Sequence, residues 1–308
     1  MNLLSASLPN RFISISGADA VKFLQGQASC DLSVLTEKHF SFGTLNTPKG
    51  RMYCLFKIIK TEHGLLLSMN ESLLETTLQK LSKYAVFFKC ELKEEVAYRA
   101  VGFTSIEANN YPALLNNIGL NSEALSAFTK SDGTFYLNIS DQNRLGEIWL
   151  KDGESLPKPF DNTSIMSLEH WFALETRSGV PELYSSSQEA FILQYLNLHH
   201  LDAVSFKKGC YTGQEIIARM KFLGKQKKQA YLLHSDQQST PAPLSPVYDN
   251  EGKKCGVLVR SHYSKETGTC ALAILPIDSA LHYDAVFIDE ALHWPFSVSE
   301  IDYSEFKK

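Results

Sequence analysis

Beyond about residue 230 the apolar runs of this chain are short. YLLHS, GVLVRS, TCALAIL and AVFIDE are separated by turns containing Pro, Gly and Asp. Runs of that length and spacing read as strands, so the tail is expected to form a small β-domain. The preceding residues must then carry every helix and the main core.

That earlier part mixes both periods. RFISIS (11–16) alternates as a strand does, and Ser16 is placed as N-cap of a helix over GADAVKFLQG, with Asp19 in its first turn. MYCLFKII (52–59) and GLLLSM (64–69) read as a hairpin. ESLLETTLQKLSKYAVFF spaces Leu73, Leu74, Leu78, Leu81 and Tyr84 on one helical face. TFYLNIS and RLGEIWL (134–140 and 144–150) read as two strands around a DQN turn, and KDGESLPKPFDNTS (151–164) as a loop. SIMSLEHWFALETRSG is expected to be a helix stopped by Gly179, and Ser186 to Glu189 fits a capping box for a helix over EAFILQYLNL.

At 308 residues the chain predicts two or three structural units. Its net charge of −4 argues against indiscriminate nucleic-acid binding. The six cysteines show no C-x-x-C pair and no zinc-finger spacing, so neither a structural zinc nor a dense disulfide framework is expected. MNLLSASLPNRF lacks the pattern of a secretory signal, and no apolar run approaches the length that spans a bilayer. The expected compartment is the cytoplasm. Phosphate-loop, dinucleotide, nucleophile-elbow and zinc-protease motifs are absent.

KKGCYTGQE (207–215) carries the sharpest chemistry. Thr212 and Glu215 fit a T-x-x-E capping box, which places Cys210 just ahead of a helix start over roughly 213–221. The helix dipole, with Lys207 and Lys208, would favour the thiolate and lower its pKa from about 8.5. Gly209 and Gly213 would let a ligand approach the backbone. A tight turn around a buried cysteine fits the same residues, with Glu215 as a mere capping partner. Downstream, Arg219, Lys221, Lys225, Lys227 and Lys228 surround Phe222. That run is either a solvated face or a groove for a polyanion.

SFKKGCYTGQEIIARMKFLGK resembles the signature of the YgfZ-type folate-binding proteins, relatives of the glycine-cleavage T-protein (aminomethyltransferase). GADAVKFLQGQASCDL (17–32), TPKGRMYCLFK (47–57), LQKLSKYAVFFK (78–89) and EAFILQYLNL (189–198) extend the resemblance in order to about residue 228. It implies an α+β fold with two interleaved lobes of the aminomethyltransferase type over 1–229. A small C-terminal β-barrel over 230–308 would complete a ring around a central channel. It further implies tetrahydrofolate or a folate derivative as cofactor, and a role in synthesis or repair of iron–sulphur enzymes that affects tRNA modification. Iron–sulphur enzymes would be the clients, tRNA would be touched indirectly if at all, and a monomer is expected.

Cys210 becomes the functional thiol on this reading, with Lys208 beside it. Folate contacts would fall on Gln25, Asp31, Lys49, Gly50, Arg51, Trp171, Glu175, Arg177, Gly209, Tyr211, Gly213, Gln214, Glu215 and Arg219. Trp171 could stack on a ring of the folate, or pack in the core with Leu168 and Leu174. Two departures stand out. The aminomethyltransferases carry an acidic residue where this chain has Gly50-Arg51-Met52-Tyr53-Cys54, so aminomethyl transfer is not expected. The related R-x-E-A-G reads Glu175-Thr176-Arg177-Ser178-Gly179, which puts an arginine, a donor only, in place of a glutamate. A tetrahydrofolate-dependent one-carbon transferase using Asp31, and a non-enzymatic tRNA-binding module using residues 219–228, are the competing readings.

Overall fold

The computed structural model describes residues 2–289 and 291–306. Pro9 alone separates β1 (Leu3–Leu8) from β2 (Asn10–Ser16). With no N–H to donate, it breaks the ladder there and lets the chain cross from one sheet to another. After α1 (Ala20–Gln25) come β3 (Ser41–Asn46), β4 (Met52–Thr61), β5 (Gly64–Asn70), α2 (Leu74–Ala85) and β6 (Glu91–Glu94). Next are β7 (Tyr98–Ser105), α3 (Tyr111–Asn117), β8 (Ser126–Thr129), β9 (Phe135–Ser140), β10 (Leu145–Lys151), β11 (Ser164–Ile165) and α4 (Leu168–Arg177). The chain ends with α5 (Gln214–Phe222), then β12 (Lys228–Ser235), β13 (Pro246–Tyr248), β14 (Lys254–Ser264), β15 (Gly268–Pro276), β16 (Val286–Phe287) and β17 (Pro295–Ser299).

Two sheets interleave. One runs β3-β4-β5-β2-β6 and the other β11-β1-β7-β10-β9-β8, so the first sixteen residues feed both. β4 is apolar on both faces because both are covered: MYCLFKII is buried almost throughout. The strands from β12 to β17 close a barrel in the order β12-β15-β14-β13-β16-β17. Period-two alternation sorts its side chains. Leu233, Ala271, Ala273 and Leu275 fill the inside, while Leu232, Leu272 and Ile274 pack outward onto the main core.

α4 ties these parts together by packing on β1 of one sheet and on β14 and β15 of the barrel. Ser167 caps it, its Oγ accepting from the N–H of His170 at 3.2 Å. Gly179 ends it at φ +74°, and a Cβ there would meet Ile301 at 2.2 Å. Residues 301–306 fold back over that point, where the hydroxyl of Tyr303 donates to the Gly179 carbonyl.

Three expected helix starts are corrected. α1 begins at Ala20 and Asp19 is its N-cap; the Asp19 carboxylate accepts from the N–H of Lys89 rather than capping the helix. The predicted helix over 189–198 does not form. Glu189 sits at φ +60°, and its N–H donates to the Met52 carbonyl at 2.7 Å, while Met52 N–H donates to Phe191. The edge of β4 therefore takes up the backbone groups that a helix would have paired, and only a 3₁₀ turn at Leu193–Leu196 remains. The third correction concerns α5, described next.

Candidate functional site

The signature segment folds as a knot against two loops. α5 starts at Gln214 with Gly213 as N-cap, not Thr212, and no side chain caps it. Thr212 Oγ1 instead donates to Gln27 at 3.2 Å, and Gln214 Oε1 accepts from the N–H of Tyr211. Gly213 has φ +85°, and a Cβ on it would lie 2.6 Å from the Thr47 carbonyl. Gly50 has φ +70°, with Ile216 only 3.0 Å from where its Cβ would be. These two glycines thus let the 46–51 turn and the start of α5 pack together; they do not hold a gap open for a ligand. Gly209 is different, with nothing within 4 Å of an added Cβ.

Lys208 clamps the knot. Its Nζ donates to the carbonyls of Gln25 at 2.7 Å, Ala28 at 2.9 Å and Cys30 at 2.7 Å, and it lies over the Tyr211 ring. Burial pulls this amine down to about 8, but three carbonyl acceptors favour its protonated form. With three donors committed, its charge organises the 25–30 loop and leaves no N–H for a ligand. Gln25 donates to Asp31, whose carboxylate also accepts from Ser33. Burial acts to raise the Asp31 pKa; the hydrogen bonds from Ser33 and Gln25, with Lys208 nearby, overcome it and hold the group below its ordinary range. Arg51 reaches back to the Ala190 carbonyl at 2.5 Å, while Lys49, Glu215 and Arg219 are exposed.

Cys210 is exposed on this knot, whereas Cys30, Cys54 and Cys270 are buried and Cys90 and Cys255 are partly so. Burial pushes the Cys30 and Cys255 thiols up to about 11 and Cys54 to about 12, and raises Cys90 and Cys270 as well. Beyond α5, Phe222 and Leu223 are 66% and 83% exposed among Arg219, Lys221, Lys225 and Lys227. Phe222 packs edge-on against Phe206 of the knot.

A second centre lies where the two sheets, α4 and the barrel meet. A small cavity of about 20 Å³ beside it is lined by Asn10, Phe42, Leu55, Lys57, Asn70, Glu175, Val180 and Glu182, among others. Lys57 of β4 lies 2.5 Å from Glu147 of β10 and 3.7 Å from Glu175 of α4. Arg260 of β14, fully buried, lies 3.5 Å from Glu175 and donates to the Val180 carbonyl. Trp149 donates to the other oxygen of Glu147 at 2.8 Å. Burial alone would discharge Lys57, but Glu147 and Glu175 outweigh it and raise its pKa. A β-bulge at Val259 makes Arg260 possible. Leu258 pairs with Ala273, yet Arg260 pairs with Leu272, so the arginine turns out of the barrel interior toward α4.

The structure therefore divides the expected site residues. Gln25, Asp31, Gly50, Arg51, Lys208, Tyr211, Gly213 and Gln214 come together in the knot, with Lys49, Gly209, Cys210, Glu215 and Arg219 on its surface. Glu175 lines the cavity. Trp171 is wholly buried against Gly102, where a Cβ would come within 2.6 Å of its ring; its Nε1 has no hydrogen-bond partner among the described residues, and it is not among the residues lining this cavity. Arg177 is exposed on the far side of α4 from Glu175, so its arginine does not enter the cavity that its neighbour lines. Asp31 lies in the knot and is not among the cavity's lining residues. Lys57, Glu147, Glu182 and Arg260 were missed. Three of them had a signal, since each is a charge set among the apolar residues of a strand: MYCLFKII, LGEIWL and GVLVRS.

No family model matches the chain. A curated relative, the tRNA-modifying protein YgfZ of Aliivibrio fischeri (strain ATCC 700601 / ES114), is 30% identical over 298 residues, covering 94% of this chain and 90% of its own length. The chain belongs to the YgfZ family. The YgfZ proteins of Colwellia psychrerythraea, 29% identical over 282 residues (87% of this chain, 84% of the relative), and of Enterobacter sp. (strain 638), 32% over 258 (77% and 76%), agree. Among solved structures, the glycine cleavage system aminomethyltransferase T of Bartonella henselae superposes with a TM-score of 0.70. That match has 15% identity and covers 97% of this chain and 85% of that one. At that identity the likeness establishes the fold: the interleaved α+β arrangement with its terminal barrel is that of the aminomethyltransferases.

Proposed function

We propose that this YgfZ-family chain is a folate-binding accessory factor for the synthesis or repair of iron–sulphur enzymes, acting on tRNA modification through them, with Cys210 as its working thiol. The observation that carries the reading is the contrast among the cysteines. Cys210 stands exposed on a loop clamped by Lys208, while burial holds the other five as thiols. A single thiolate can accept a transient iron or sulphur ligand, or be oxidised and resolved by another thiol; it cannot by itself hold a cluster.

In the folate reading a pterin head would enter by widening this small cavity, which as it stands has room for about one water. Glu175 and Glu182 offer carboxylate acceptors to an aminopyrimidine edge, and Phe42, Leu55 and Val180 offer apolar walls. When bound, a reduced folate would supply a one-carbon or redox centre. Glu175 would orient it, held in turn by Lys57 and Arg260. β4 links the two centres: its start lies in the knot through Arg51 and Met52, and Lys57 reaches the cavity about 20 Å further on.

The test replaces the chromosomal copy with Cys210→Ala and measures sulphur-containing tRNA nucleosides by mass spectrometry. The reading expects these to fall to the level of a deletion strain. Unchanged nucleosides, with the variant present at normal abundance, would sink it.

A further inference from the structure

The end of α5 is left uncovered by the fold. Every residue from Lys221 to Lys225 is exposed, including the bulky apolar pair Phe222 and Leu223. Residues 219–228 hold five positive charges and no acid in a chain of net charge −4, so the rest of the chain sums to −9. Arg219, Lys221, Lys225, Lys227 and Lys228 are all exposed, and none of them forms an ion pair among the described residues. Even Glu215, one turn ahead of Arg219, is not its partner. The helix dipole accounts for Arg219 and Lys221 in the last turn. It does not account for the three lysines beyond the helix, or for a bare ring among them. That ring is held in place: Phe222 meets Phe206 edge-on, with centroids 5.9 Å apart and planes at 79°. Lys221 lies over the Phe206 ring at 5.6 Å, and the next residue, Lys207, is exposed. The positive strip thus runs from Lys225 past Lys221 and Lys207 to the exposed loop of Gly209 and Cys210.

We propose that this strip binds single-stranded RNA directly, with backbone phosphates on Arg219, Lys221, Lys225 and Lys227 and an unpaired base stacked on Phe222. Cations without carboxylates call for an anion, and the ring between them calls for a flat apolar surface. An unpaired strand offers both, phosphate and base alternating along it. A duplex offers the phosphates but keeps its base faces stacked inside, and the unpaired bases that proteins stack on aromatic rings are those of RNA loops and ends. An acidic peptide brings carboxylates without a flat ring beside each. Because Phe206 already pins the Phe222 ring, stacking a base on it costs little side-chain freedom. The acidic remainder of the chain confines the strand to this strip, and the strip leads it past Cys210. The inference needs neither folate nor a cluster; it adds a direct partner to the face that carries the proposed working thiol.

Fluorescence anisotropy of the full chain with a labelled, unpaired 12-nucleotide RNA, between 50 and 300 mM KCl, tests this. The same strand annealed to its complement is the control, and an oligoglutamate peptide of equal charge is the competitor. The logarithm of the binding constant should fall with the logarithm of salt at a slope of about −3, from about 0.7 per phosphate neutralised on a single strand. The duplex should bind about tenfold more weakly. Phe222→Ala should lower the affinity about tenfold without changing the slope, and Phe222→Trp, which keeps a ring, should restore it. Lys221→Gln combined with Lys225→Gln should bring the slope about 1.4 nearer to zero. Each variant is first shown to be folded by circular dichroism. No binding at 50 mM, a duplex bound as tightly as the single strand, or an affinity indifferent to Phe222→Ala overturns the inference. Displacement of the RNA by oligoglutamate at equal charge concentration also overturns it and makes the strip a seat for an acidic peptide. RNA binding together with normal tRNA nucleosides in the Cys210→Ala strain would leave this inference standing and sink the thiol reading; the reverse pair of results would do the opposite.

Discussion

Cys210 and Cys30 lie on either side of one lysine and meet different fates. The Cys30 carbonyl anchors Lys208 while its thiol, buried, is pushed up to about 11; Cys210 stands in solvent. Because reagent reaches an exposed sulphur and not a buried one whose thiol is held protonated, iodoacetamide at pH 7 should label Cys210 at least about tenfold faster than Cys30, Cys54 or Cys270. Peptide mass spectrometry over a time course reads this directly, and equal rates would remove the special standing of Cys210. Glu182 gives a second test at this scale. Its folded pKa of about 7 exceeds the usual 4.5, so both states are protonated below pH 4.5 and the carboxyl costs nothing there. As pH rises from 4.5 to 7 the unfolded chain ionises first and gains. The wild type should therefore lose on the order of 3 kcal/mol relative to Glu182→Gln across that window, and nothing more above it. Urea unfolding of both proteins at pH 4.5, 6, 7 and 8 measures the difference; parallel curves would show that the group is not held in this way.

At the scale of elements, what could be read in advance depended on whether a segment's own backbone decided its structure. β2, the β4–β5 hairpin, α2 and α4 follow their periodicity because their apolar faces have one obvious place to go. EAFILQYLNL has equal helical promise, but the edge of β4 claims its backbone at Met52, a partner more than a hundred residues away. The capping box at Thr212 failed for a related reason. Gly213 must approach the Thr47 carbonyl, and a left-handed N-cap residue achieves that where a capping threonine would not. The clamp at Lys208 was equally illegible, since a lysine in KKG reads as solvated charge until the 25–30 loop turns three carbonyls toward it. Lys208→Met should leave those carbonyls without their donor, at about 1–3 kcal/mol. Amide hydrogen exchange over residues 25–32 should then quicken by tenfold or more, with α2 unaffected. Unchanged protection in that loop would show that α1 and the Ser29 hydrogen bonds hold it without the clamp.

For the whole molecule, the buried charges act as a joint. Lys57, Glu147, Glu175 and Arg260 come from one sheet, the other sheet, α4 and the barrel, so the network can form only when all four parts are docked. Replacing such a network by apolar groups can be neutral, but removing one member strands the others. Arg260→Met removes the barrel's contribution and leaves Lys57 alone among Glu147, Glu175 and Glu182. The expected cost is about 3–5 kcal/mol. It should appear as loosened docking of the barrel, with limited proteolysis accelerating in the exposed 223–228 segment before the main core is cut. The barrel interior of Tyr231, Leu233, Leu258 and Phe296 does not include the arginine and should keep its own order. Glu175→Gln removes the stranded charge, so Arg260→Met combined with Glu175→Gln should cost less than the sum of the two single changes by 1 kcal/mol or more, on the order expected for residues in one network. Strict additivity in that cycle would mean that Arg260 and Glu175 do not act together. The barrel would then be held to α4 by its other contacts, among them Phe172 against His262 and His170 with Glu266.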